Sequence, residues 1–144
     1  MNTLNLIKSC LIAALFAAVL AGCNKPAAEK APKATVEGRW SGYEAGRSEK
    51  TIIEFKAGQF TYWDAQTNEI GSGTFVVNDA VEPNQMDLTF EKMLAPEYVG
   101  KVGLAVFELN GNELKIAGSE PGSTQRPTSV AGGQGVRVFA LKRE

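Results

Sequence analysis

The sequence predicts an all-β domain: an up-and-down antiparallel barrel of about eight strands, with a two-sheet β-sandwich as the alternative. Three observations carry that reading. From Val36 onward apolar residues recur with period two rather than 3.6, the pattern of strands with one buried face. The segments are short and separated by glycine-bearing turns. No stretch shows a sustained helical period, and the segment 91–100 has room for one helical turn at most, before Pro96.

Each element follows from its own residues. The first, 36–44, opens with Gly38 and Trp40. The second, 50–56, places Thr51, Ile53 and Phe55 on one side, and a tight reversal at Ala57-Gly58 leads to 59–65, where Phe60 and Tyr62 share a face. In 70–78, Phe75 and Val77 do the same. The cleanest alternation is 85–91, with Met86, Leu88 and Phe90 set against Asp87 and Thr89. Segment 112–117 sets Leu114 and Ile116 about an outward Lys115. Before it, Asn110-Gly111 gives a strong hairpin signal, read as a type I′ turn with positive φ at both central residues. Segments 102–109 and 135–142 are apolar on both faces, which suits central or covered strands. Closure into a barrel removes the reactive edges of such a sheet. The connection 118–135, with five glycines and two prolines, exceeds the usual loop length. A functional loop and a loose surface insertion both fit it.

Composition narrows the function. The 144 residues suit one domain. They include no histidine, which removes the commonest general base, the Ser-His-Asp triad and most zinc and haem ligation. Residues 36–144 carry 11 basic and 15 acidic side chains, a formal charge of −4, with no basic stripe for nucleic acid. Gly132-Gly133-Gln134 matches the hydrolytic tripeptide of translation release factors, but its glycine-rich loop makes it a chance match. Ser119, Ser123 and Ser129 lack a nucleophile elbow and a base.

The N-terminus reads as a targeting segment. Lys8 precedes a ten-residue apolar run, Leu11–Leu20, too short to span a bilayer, which takes about 20 residues. Leu20-Ala21-Gly22-Cys23 then resembles the bacterial lipobox closely. That resemblance implies cleavage before Cys23, a diacylglyceryl group on its thiol and an acylated new amine, so that the membrane becomes a partner through the acyl chains. One acyl chain holds a protein only marginally, whereas two or three make release negligible. Cys10 falls in the discarded part. Asn24, standing where aspartate commonly favours inner-membrane retention, points to an outer-membrane anchor facing the periplasm. Residues 1–22 are thus expected to be a signal peptide, 23–35 the lipidated cysteine and a flexible linker, and 36–144 the folded domain. The linker, rich in Ala, Lys and Pro, has no large apolar side chain and reaches at most roughly 40 Å.

The folded part resembles a family of small lipocalin-like domains abundant in planctomycete proteomes. The likeness rests on "EGRW" near its start, then "MDLTFE", "YVGKVGLAVFELNGNELKIA", "EPGSTQRPTS" and the closing "VFALKRE". Phe107 stands where that family usually has tyrosine, and Ala117 where it often has cysteine. The resemblance implies a barrel whose first-strand Gly38-x-Trp40 signature plugs one end, with a late arginine, Arg137 or Arg143, packed across Trp40. It implies no activity and no cofactor.

Candidate ligand-facing residues are Tyr43, Tyr62 and Trp63, with Glu108 and Arg126. The aromatics, with Phe60, would make a wall for a flat apolar molecule; a side-chain-filled core is the plainer use of the same residues. Glu108 shares a face with Leu104 and Val106 and is a candidate to point inward. Asp87 and Glu91 fall on the solvent side, and with Asp64 they give no convincing acid/base pair. The expectation is a non-catalytic, lipid-anchored module, free of metal, that binds a small apolar ligand or lipid near the 118–135 loop. The alternative is a solid barrel that contacts another envelope protein.

Overall fold

A computed structural model of the chain describes residues 35–144. The expected signal peptide, Cys23 and nearly all of the expected linker lie outside the described residues. Within them, eight strands form a closed antiparallel barrel in simple sequence order. They are β1 (Gly38–Glu44), β2 (Lys50–Lys56), β3 (Gln59–Trp63), β4 (Glu69–Asn78), β5 (Asn84–Met93), β6 (Val102–Asn110), β7 (Glu113–Ser119) and β8 (Val136–Arg143). A three-residue 3₁₀ turn, Pro96–Tyr98, lies between β5 and β6. Each strand pairs with its neighbours, and β1 closes on β8 with Trp40 opposite Arg143 and Glu44 opposite Phe139. The fold is therefore the predicted barrel, not the sandwich.

Alternation decides what enters the barrel. Trp40, Phe55, Met86 and Leu114 are fully buried inside, joined by Ile53, Phe60, Ala105, Phe107, Ile116 and Leu141. Edge-to-face pairs, Phe55 on Phe75 at 5.0 Å and Phe60 on Phe90 at 5.3 Å, bind β2 to β4 and β3 to β5. In β5 the pairing to β4 slips between Ser72 and Gly73, so that Glu91 is the extra residue of a bulge and Met93, not Lys92, lies opposite Gly71.

The turns follow local chemistry. Ala57 and Gly58 both have positive φ, 51° and 76°, as a type I′ hairpin requires. In the β6–β7 hairpin Asn110 pairs with Glu113, so the central residues are Gly111 and Asn112. Gly111 has φ of 60°, and Asn112 is not among the positive-φ residues. The turn is thus shifted one residue from the Asn110-Gly111 reading and is of type II′, with glycine first.

β6 is apolar on both faces because both are covered. Val106 and Ala117 lie on the outer face of β6 and β7, where Val130 of the 120–135 connection packs on them, only 6% exposed, with Val136 and Val138 alongside. The connection is pinned further by Arg126, whose guanidinium donates to the carbonyls of Met86 (3.1 Å) and Ala105 (2.7 Å) and pairs with Asp87. The Ser119 hydroxyl lies within donating reach of the Leu104 (3.0 Å) and Gln125 (2.6 Å) carbonyls. The long connection is therefore a packed staple on the barrel wall, not a loose insertion. Core, seam and staple, as described, all lie within 35–144.

Candidate functional site

The barrel has two unlike ends. At one, where the chain enters, Trp40 is sealed in: its Nε1 donates to the Val36 carbonyl at 2.7 Å, and the Arg143 guanidinium lies 4.1 Å from the ring centroid. Arg143 also donates to the carbonyls of Glu37 (2.6 Å) and Thr35 (2.9 Å), which straps the entering chain across the plug. Gly38, with φ of 129°, makes room: a Cβ there would stand 2.4 Å from the Arg143 Nη1. Of the two arginines proposed for this position, Arg143 occupies it, and Arg137 lies at the opposite end. A recess of about 480 Å³ flanks the entering chain, walled by Phe75, Val77, Phe107 and Leu109 with Glu37, Asp79 and Asn84.

At the other end the interior opens into a cavity of about 380 Å³, within the range of small-molecule sites. Ile53, Phe60, Tyr62, Leu88, Phe90 and Ile116 form its wall, and Tyr98, Glu120 and Arg137 stand toward its mouth. The space exists because glycine occupies the wall where large side chains would fill it. Gly103 and Gly118 line the cavity directly, whereas Gly71 and Gly73 on β4 permit close approach of β5, where a Cβ at Gly73 would stand 1.9 Å from the Thr89 carbonyl oxygen. The interior is thus plugged by Trp40 at one end, beside the recess, and open at the other, so the filled-core expectation holds for only part of it.

The cavity's polar groups are mutually satisfied. Arg137 donates from Nε and Nη2 to the two oxygens of Glu44, at 2.7 and 2.6 Å, in a fork-to-fork pair. Glu44 is 7% exposed and receives Arg47 as well, at 3.0 Å. Hydrogen bonding from Arg137 holds the Glu44 carboxyl below the usual carboxylate range, against the opposing effect of burial. The same bond raises the Arg137 pKa. The Arg137 guanidinium also lies 5.2 Å from the Phe139 ring, which meets Tyr62 edge to face at 6.2 Å. Across the mouth, Tyr98 donates to Glu120 at 2.6 Å, which raises the phenol pKa.

Of the five residues expected to face a ligand, Tyr62 lines the cavity and the other four do not. Tyr43 is 54% exposed, since it alternates with the inward Trp40 and the buried Glu44. Trp63 alternates with Tyr62, and its ring carries the Arg39 guanidinium at 5.0 Å. Glu108 does share a face with Leu104 and Val106, but that face is the outer one: Glu108 is exposed opposite Lys115. Arg126 is spent on holding the staple. Arg137 and Glu44, which sequence reasoning did not place in a cavity, are the charged pair at this end. Their signal was positional: an arginine and a glutamate at inward places of β8 and β1. Among the described residues no group of three or more His, Cys, Asp or Glu side chains is placed to hold a metal ion. Comparison with family models, with curated proteins and with solved structures gives no match for this chain.

Proposed function

We propose that this is a non-catalytic, lipid-anchored protein of the bacterial envelope whose barrel binds a small apolar molecule or lipid in the cavity opposite Trp40. The observation that carries the reading is the cavity itself: about 380 Å³ of space walled mainly by aliphatic and aromatic side chains at the end of the barrel opposite Trp40. The resemblance to lipocalin-like domains supports the architecture, but a fold alone names no ligand. The rival reading, a solid barrel acting through its surface on another envelope protein, needs a filled interior, and the open end counts against it.

A cavity-filling substitution tests the binding. Gly118 lines the cavity, and a Cβ there meets no atom nearer than the Ala105 Cβ at 3.7 Å. Gly118→Leu is expected to fold with a melting temperature close to that of the unaltered protein and to lose at least tenfold in affinity for the neutral dye N-phenyl-1-naphthylamine, read by fluorescence. Unchanged dye affinity in the folded variant would place the bound molecule elsewhere.

Anchoring is tested separately. Cys23→Ser is expected to leave an uncut precursor that takes up no labelled palmitate. A variant processed and partitioned like the unaltered protein would remove the lipobox from the account.

A further inference from the structure

We infer that the cavity selects an uncharged ligand and discriminates against carboxylates; this rests on the cavity being a binding site. Among the described residues that line it, Arg137 is the single cation, and its guanidinium is already engaged. Two of its nitrogens meet both oxygens of Glu44 at 2.7 and 2.6 Å. A ligand carboxylate in the cavity either meets the remaining Nη hydrogens of a guanidinium whose charge Glu44 already balances, or takes the Nε and Nη2 donors from Glu44 in exchange. That exchange would leave Glu44, 7% exposed, with Arg47 as its remaining cationic partner and part of its charge uncompensated. A buried charge stripped of its partner is strongly unfavourable. The second acidic group at the mouth, Glu120, adds a further negative charge near any incoming anion, and its Oε1 is held by the Tyr98 hydroxyl. Of the other cations at this rim, Arg47 is held by Glu44 at 3.0 Å, and Lys101 sits 5.9 Å from the Tyr98 ring centroid.

A neutral molecule meets none of these penalties. It displaces water from an apolar wall and leaves the Arg137–Glu44 pair and the Tyr98–Glu120 bond intact. At about 30 Å³ for each water-sized group, the volume holds roughly a dozen such groups. A medium-chain alcohol, ester or small ring system fits that description.

The test uses a matched pair on the segment 24–144, which contains the whole barrel: decanol and decanoate, each displacing N-phenyl-1-naphthylamine at pH 8. Decanol is expected to displace the dye at a concentration at least tenfold lower than decanoate. Glu44→Gln, which keeps the side chain's shape and frees Arg137 to accept an anion, is expected to narrow that gap at least tenfold. Circular dichroism checks its fold. Decanoate binding as well as decanol to the unaltered protein would overturn the selectivity while leaving the binding reading in place. Failure of the dye and both chain compounds to bind would overturn both.

Discussion

Replacing Trp40 with alanine is expected to lower the stability of the domain by about 4 kcal/mol, the range for truncating a buried large aromatic. Three losses coincide. The ring is fully buried in the core, so its removal leaves a cavity at the sealed end. The Val36 carbonyl loses its 2.7 Å donor. Arg143 loses the ring face it covers. For a domain of this size that cost corresponds to a fall in melting temperature of roughly 15 to 20 °C. It is a large share of the 5–15 kcal/mol that typical domains possess. Trp40→Phe, which restores the apolar bulk but not the donor, should recover more than half of the loss. A fall of less than about 5 °C in the alanine variant would mean that Trp40 does not hold the end of the barrel together.

Gly42→Val acts on the seam. A Cβ at Gly42 would stand 1.9 Å from the carbonyl oxygen of Ala140 and 2.9 Å from the Leu141 Cα. Both are backbone atoms of β8, so no rotamer change relieves the clash, and β1 must separate from β8. The expected cost is about 3 kcal/mol or more, above the usual range for overpacking because the obstruction is main chain. Two unpaired edges would then be exposed, and edges of that kind recruit other chains. Calorimetry should show a melting temperature at least 10 °C lower, and size-exclusion chromatography should show new, larger species. Gly118→Leu is the internal control, since it changes the same residue type without meeting backbone. A Gly42→Val protein that melts and elutes like the unaltered one would contradict the closure of the barrel at this seam.

Much of the architecture was legible in the sequence, because period-two alternation and glycine turns are local signals. All eight segments became strands, with ends shifted by at most two residues. Three failures have particular causes. Phase was lost on β6, where Val106 and Phe107 are both buried, one under the staple and one in the core. With both faces apolar, alternation cannot say which side Glu108 takes. The hairpin was misplaced by one residue because Asn-Gly favours type I′ turns in general, whereas here Asn110 closes the ladder with Glu113 and Gly111 begins the turn. The aromatics Tyr43, Tyr62 and Trp63 were grouped by nearness in sequence, although adjacent residues on a strand point to opposite faces. The cavity had a readable sign in Gly103 and Gly118, which continue the inward alternation of Ala105 on β6 and of Ile116 on β7. Absent side chains leave no hydrophobic pattern, so a search for apolar periodicity passes over them.

The strap that Arg143 lays over Thr35 and Glu37 has a mechanical consequence. Tension arriving from the N-terminal side bears first on those two carbonyls, on Val36 and on the stacked Trp40, at the pole remote from Arg137 and Glu44. If the chain is anchored through Cys23 as proposed, such a pull would load the Trp40 pole and not the Arg137–Glu44 rim, so that exchange of a bound molecule there would be insulated from the anchor.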